Sequence, residues 1–462
     1  MRTEGQLHRA RSVGLVLFGC GALLLATSCP AAAAICGDTS GDGFVTSSDA
    51  LATLKLAVGG GYDRRGDVMP TGDAVGDDKL GAGDALKVLK AAVEDVIPPC
   101  RGADVTRAAV STAAKQFDSG GFAVVDIKSR TFSFRGGSIQ RDSVVRAPAG
   151  SPVVINRFGF NTLQILDITK KTLPNVNECS VADGTDSNTQ DVVLVSPSKG
   201  YVTPNAGGKL LVINPAVLFE PELDPPCSTI IQKRIDLSSF DSDGVPEMDQ
   251  MVLIGTDLFV AMQLLDFPDA VANGRVAVID TTTDTVKGSI ALSFRNPFAQ
   301  TKGLPYDEFQ KRIFVGGPGR IGDSLENGGI EALDPATMQS AGMLITGDDI
   351  GAKIFDYVIV GTARAFAIVA DTETNSVVEL DLVQGKIREV LLTSTALISD
   401  IEMTELGELW VAYRGEALAD PPDPPGLRIF RVSNRAATDE VELTSNTTPI
   451  SLGQSPFTLA FF

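Results

Sequence analysis

The chain has 462 residues, too many for one ordinary core, so two or more domains are expected. Its 58 acidic residues outnumber 39 basic ones, and the formal charge of −19 argues against nucleic acid or anionic lipid as a partner. The only histidine, His8, lies in an N-terminal leader, so the remainder has no Ser-His-Asp or Cys-His catalysis and no His-dependent zinc site.

Residues 1–34 read as a signal peptide. Arg2, Arg9 and Arg11 form a basic start, Val13 to Ala26 an apolar run, and Ala31 to Ala34 the small residues that a signal peptidase accepts. The run is shorter than the ~20 residues a membrane span needs, and no other segment is apolar enough to cross. Cleavage near Ala34 removes three arginines and one glutamate, leaving 36 basic and 57 acidic residues and a charge of −21. An extracellular or cell-surface location follows. Cys29 is an alternative lipid-attachment site, although Ala26-Thr27-Ser28 before it lacks the usual leucine.

Four cysteines remain: Cys36, Cys100, Cys179 and Cys227. An even number in an exported chain suggests disulfides. Of three pairings, Cys36–Cys100 with Cys179–Cys227 is favoured, because each pair brackets one local unit.

Residues 35–100 carry a duplication. CGDTSGDGFVTSSDALATLKLAV at 36–58 aligns without gaps with TGDAVGDDKLGAGDALKVLKAAV at 71–93. The first copy fits a calcium loop. Asp38, Ser40 and Asp42 take positions 1, 3 and 5, the carbonyl of Phe44 position 7, Thr46 position 9 and Asp49 position 12, with Gly43 at the sharp turn. The second copy keeps Asp73, Asp77 and Asp84, with the Lys79 carbonyl at position 7, but has Val75 at position 3 and Asp78 in place of the glycine. Weaker calcium binding is expected there. A helix follows each loop, and Leu51, Leu54 and Val58, like Leu86, Leu89 and Val93, recur at helical spacing. These stripes are expected to pack on each other.

This segment resembles a type I dockerin, the EF-hand-like duplicated calcium module that docks onto cohesin domains. The resemblance implies Ca2+ as cofactor and a cohesin-like partner. Contacts would come from Ser47, Ser48, Lys55 and Leu56. Ala82 and Gly83 in the second copy depart from that pattern and weigh against a symmetric dual mode.

A linker at 101–103 precedes a β-rich region, 104–462. There a β-rich run ending in Asp or Asn recurs at Asp126, Asp167, Asn214, Asp280, Asp334 and Asp381, spaced 41 to 66 residues apart, with a seventh run, Leu427 to Arg431, lacking the acid. Second runs precede most of them, as at Leu258-Phe-Val-Ala and Leu409-Trp-Val-Ala. Repeats of this length with about four strands each predict a β-propeller of seven blades, a β-sandwich pair or β-helix being the alternative. Pro456 to Phe462 reads as an innermost strand that closes the first blade. Gly274 to Lys287 resembles the YVTN/NHL-type propeller repeat, which implies a fold and not an activity.

The fold class is therefore multidomain, a small α-helical EF-hand-like module plus an all-β seven-bladed propeller. No catalytic residue stands out. Asp241-Ser-Asp-Gly244 with Glu247 and Asp249 reads as an acidic turn more than as a further calcium site, and Trp410 as core. A non-catalytic docking module joined to a ligand- or partner-binding propeller is the first functional reading. A carbohydrate-active or lactonase-type hydrolase using paired carboxylates is the second. A lipid-anchored structural protein, if Cys29 is modified, is the third.

Overall fold

The computed structural model describes Thr39, Val45, residues 47–57 and 82–94, and residues 105–462 apart from several short loops. The region from 105 onward is built from seven four-stranded antiparallel sheets. Blade 1 holds β1 (Arg107–Ala113), β2 (Gly120–Asp126) and β3 (Phe132–Gly136). Blade 2 holds β4 (Ser143–Arg146), β5 (Val153–Asn156), β6 (Thr162–Leu166) and β7 (Asn175–Ser180). Blade 3 holds β8 (Thr189–Ser196), β9 (Lys199–Pro204), β10 (Lys209–Ile213) and β11 (Ile231–Asp236). Blade 4 holds β12 (Met248–Ile254), β13 (Asp257–Met262), β14 (Asn273–Asp280) and β15 (Thr285–Arg295). Blade 5 holds β16 (Tyr306–Asp307), β17 (Arg312–Gly317), β18 (Gly329–Asp334) and β19 (Gln339–Thr346). Blade 6 holds β20 (Lys353–Ile359), β21 (Arg364–Ala370), β22 (Asn375–Asp381) and β23 (Lys386–Ser394). Blade 7 holds β24 (Ile398–Met403), β25 (Glu408–Tyr413), β26 (Gly426–Arg431) and β27 (Val441–Glu442).

The last strand, β28 (Ser455–Phe461), pairs with β1 and is the innermost strand of blade 1. Ser111 and Thr458 join their hydroxyls at 2.7 Å across 347 residues of chain. This pairing of the chain's last strand with its first closes the ring of blades, and the sheet edges that remain are short.

The repeating acid has a structural cause. Each of the six marks the end of the third strand of a blade and caps the turn to the fourth. Asp126 accepts the Ser129 N–H at 2.7 Å, Asp167 that of Thr169 at 3.0 Å, and Asn214 that of Ala216 at 3.2 Å. Asp280, Asp334 and Asp381 do the same for Thr282, Ala336 and Val383 at 2.8, 2.9 and 3.1 Å. A short oxygen-bearing side chain that mimics a backbone turn is what Asx residues supply.

Between blades, strands alternate apolar side chains toward each neighbouring sheet. Trp410 is fully buried, as expected, edge-on to Phe461 at 5.6 Å, where blade 7 meets blade 1. Tyr357 fills the space over Gly316, where any Cβ would collide with its ring, and donates to the Phe314 carbonyl at 3.1 Å. Cys179 and Cys227 form the expected disulfide, tying β7 to the excursion after β10. Cys36 and Cys100 lie outside the described residues.

The N-terminal segment contributes α1 (Ser47–Ala57) and α2 (Ala82–Glu94), which pack against each other. Their buried face differs from the expected one. Ala50, Thr53, Ala85 and Val88 are buried, whereas Leu51, Leu54, Leu86 and Leu89 are exposed. Ala50 and Val88 join one buried apolar cluster with Val358, Phe366 and Ile398 of blades 6 and 7, so this face turns inward and the leucines outward. Among the described residues no helix is long and apolar enough to cross a membrane.

Candidate functional site

Of the sequence-derived calcium ligands, Asp38, Ser40, Asp42, Phe44, Thr46, Asp73, Asp77 and Lys79 lie outside the described residues. Asp84 lies on α2, its side chain undescribed. Asp49 is fully buried in the first turn of α1, and its carbonyl accepts the Thr39 hydroxyl at 2.8 Å. Ser47, Ser48 and Lys55 are exposed on α1, and the Leu56 side chain is undescribed. The chemistry that the structure does assemble is at the propeller axis, among residues that the sequence reading left aside.

Five of the seven innermost strands share one irregularity. In β8, β20, β24 and β28 one residue bulges out of the ladder, and β12 breaks register over two. The bulge re-aims the next side chain sideways, toward the adjacent blade. Asp191 Oδ2 accepts Met251 N–H at 2.8 Å, Asp356 Oδ2 accepts Ile401 N–H at 3.1 Å, and Thr458 Oγ1 accepts Val145 N–H at 3.0 Å. Arg146 Nε reaches Asp191 Oδ1 at 2.7 Å, and Leu304 N–H reaches the Met251 carbonyl at 3.1 Å. With Tyr357 on Phe314, and Asp400 on Leu459, every adjacent pair of blades is joined near the axis by a polar bond. A buried aspartate inside an apolar strand was the legible signal for these positions, and it passed unused.

Blade 5 departs from the pattern. Its innermost strand has two residues, and the preceding segment, Lys302 to Pro305, is buried. Lys302 reaches from there to blade 7, where Nζ donates to the Ile401 carbonyl. Its ammonium lies 3.5 Å from Asp356 Oδ1, 3.5 Å from Glu402 Oε1 and 4.0 Å from Asp400 Oδ1. Burial alone would lower the lysine's pKa, but Asp356, Glu402 and Asp400 outweigh it and hold the charged form above its ordinary range. Burial pushes Asp400 well up, and the like charge of Asp356 adds to it, against the Lys302 ammonium. Burial also raises Glu402, with Lys302 pulling the other way and Arg146 helping it. Among the described residues no acidic cluster has the geometry of a metal site. The carboxylates converge on an internal ammonium.

On the other side of the axis sit Asp249 and Glu247. Asp249, 3% exposed, is pushed up to about 7 by burial and by Asp191, against Arg146 and Arg157. Glu247 is raised to about 7, chiefly by burial, and accepts the Leu265 N–H at 2.8 Å. Arg157 pairs with Asp142 at 2.6 Å and with Gln190 at 2.9 Å. Asp241 and Asp243 stay in their own turn, accepting from Ser242 N–H at 2.5 Å and Val245 N–H at 2.7 Å, as an acidic surface turn would.

No protein-family model matches the chain, and no curated protein matches its sequence. Solved structures similar to it include two proposed 6-phosphogluconolactonases. The one from Bacteroides fragilis is 11% identical with a TM-score of 0.47, covering 79% of this chain and 100% of that one. The one from Bacteroides uniformis is 10% identical with a TM-score of 0.49, covering 77% and 100%. Kuenenia stuttgartiensis hydrazine synthase is 12% identical with a TM-score of 0.33, covering 55% of this chain and 65% of that one, so the match spans under two thirds of it. The propeller itself is established by its strand order.

Proposed function

We propose that the protein is an exported, non-catalytic adaptor. In this reading a calcium-bound loop-helix pair at residues 35–100 docks onto a cohesin-like partner, and the propeller holds a ligand or second protein. The carrying observation is the outward turn of the four leucines, Leu51 at 52%, Leu54 at 39%, Leu86 at 67% and Leu89 at 41% exposure. Leucines at matched positions on two adjoining helices make an apolar surface of the kind that marks an interaction site. The axis supports the non-catalytic half, since Asp356, Asp400 and Glu402 face Lys302 and Asp191 faces Arg146.

Titration calorimetry of the mature chain with a type I cohesin domain, in calcium and in EDTA, tests the docking half. Binding in calcium alone, lost in a Leu51→Glu/Leu86→Glu variant, is expected. Absence of heat in calcium removes the cohesin assignment.

A hydrolase is the second reading, and Asp249 and Glu247 favour it. Carboxyls that titrate near neutrality suit general acid–base work. Turnover of lactones or aryl glycosides that disappears in Asp249→Asn would place that reading first.

A further inference from the structure

The helix pair and the propeller share one core. Val45, Ala50 and Val88 are buried in the same apolar cluster as Phe366, Ile398 and Phe430 of blades 6 and 7. Ala92 of α2, and Leu391 and Leu392 of β23, pack against that cluster and are partly buried. Two regions that read as separate domains in the sequence thus bury one surface together. The leucines of α1 and α2 stay outside it, exposed.

The contact runs through the first loop itself. Val45 stands at loop position 8 and is 2% exposed. Thr39 and Asp49, at positions 2 and 12, are buried as well. The Thr39 hydroxyl donates to the Asp49 carbonyl at 2.8 Å across ten residues, and the Thr53 hydroxyl donates to that of Thr39 at 3.5 Å. These bonds draw the two ends of the loop together over the start of α1. A loop whose ends meet can turn oxygens from both ends toward one cation, so the described residues fit the calcium reading. Ordering such a loop costs backbone entropy, and a loop already anchored at one residue has less left to lose. Val45 is that anchor, because the cluster with blades 6 and 7 holds it. A closed loop in turn presents Val45 to the cluster in one position.

We propose that closure of the first loop around a cation and seating of the helix pair on blades 6 and 7 are one coupled step. The coupling rests on the calcium reading above and adds its regulation. With the loop closed, the pair sits on the propeller with its leucine face outward, at a fixed angle to the ring. With the loop open, the pair leaves the seam and uncovers apolar surface there. Coupling of this kind is reciprocal, so the factor by which a closed loop favours seating is the factor by which seating raises the loop's affinity. The propeller therefore tunes a cation site to which it contributes no ligand.

The test is titration calorimetry with calcium chloride, and hydrogen exchange in calcium and in EDTA, on the mature protein. Calcium should raise the protection of β23 and β24, which hold no loop residue. Leu391→Ser with Leu392→Ser weakens the seam from the propeller side and leaves the loop sequence intact, so it should lower calcium affinity by about fivefold or more. Trp410, the chain's single tryptophan, is buried where blade 7 meets blade 1, and its emission shows whether that variant keeps the ring. Should the variant not fold, the wild-type exchange result decides. Calcium binding with unchanged protection of β23 and β24, or equal affinity in the folded double variant, overturns the coupling and leaves the calcium reading standing. Absence of calcium heat in the wild type overturns both.

Discussion

The Asp400 carboxylate accepts the backbone N–H of Leu459 at 2.5 Å, across 59 residues of chain and the seam between the last blade and the first. Beside it the Asp356 carboxylate holds Ile401 N–H at 3.1 Å, and both carboxyls stand over Lys302. One small cluster thus ties blades 5, 6, 7 and 1.

Asp400→Ala leaves the Leu459 N–H buried without an acceptor and should destabilise the protein by about 3 kcal/mol. Asp400→Asn keeps an acceptor oxygen for the Leu459 N–H, so it should cost under about 1 kcal/mol. Urea unfolding of both variants reads the difference.

Lys302→Met should be costlier, about 3–5 kcal/mol at neutral pH, because three carboxyls then face one another without a cation. The deficit should shrink at acid pH. Without the ammonium the carboxyls take up protons at a pH above the ordinary carboxylate range, and that protonation relieves the repulsion as pH falls toward about 4. A deficit that is equal at pH 4.5 and pH 7.5 would show that the lysine acts by packing alone.

The wild-type pH profile follows from Asp249. Its folded pKa, raised by burial to about 7, lies well above the ordinary aspartate value. The folded state therefore binds the proton more tightly. The stability that this contributes is complete below about pH 4 and is lost as pH rises through about 7, an effect on the order of 4 kcal/mol. Glu247 acts in the same direction. Asp126, Asp167, Asp236 and Asp280, held low by turn hydrogen bonds, oppose it only below the ordinary carboxylate range, where their protonation removes stability. Denaturant midpoints should decline between pH 5 and pH 8, and Asp249→Asn should flatten that slope.

The Cys179–Cys227 bridge spans 48 residues, a loop whose closure entropy is about 4 kcal/mol in the chain-entropy account. Reduction, or Cys179→Ser with Cys227→Ser, should lower stability by up to that amount. The seven-sheet architecture should persist, since the ring closes through β28 and β1. Circular dichroism and urea unfolding check both halves.

The propeller was legible because its turn chemistry repeats. Asp126, Asp167, Asn214, Asp280, Asp334 and Asp381 do a local job that leaves a local trace, and β28 ends in a run too apolar to stand alone. The axis was not legible, because its partners come from separate blades. Nothing in the neighbourhood of Lys302 announces Asp356 or Glu402, and only the closed ring brings them within 4 Å. The helix pair misled in a different way. Leucines at i and i+3 form an amphipathic stripe on either face of a helix, and spacing does not reveal that Ala50 and Ala85 face inward.

The calcium reading turns on Asp49. It is the last ligand position of the first loop and the start of α1, so one carboxylate would close the ion's shell and begin the helix. It is fully buried at the start of that helix. Calcium should therefore raise the Tm of the mature chain, and Asp49→Ala should weaken binding at least tenfold in calorimetry. Asp84→Ala should matter less, since the second loop has Val75 where an oxygen ligand belongs. Equal loss in both variants would mean that the two loops bind as one cooperative unit. Unchanged calcium binding in Asp49→Ala would remove the ligand assignment altogether.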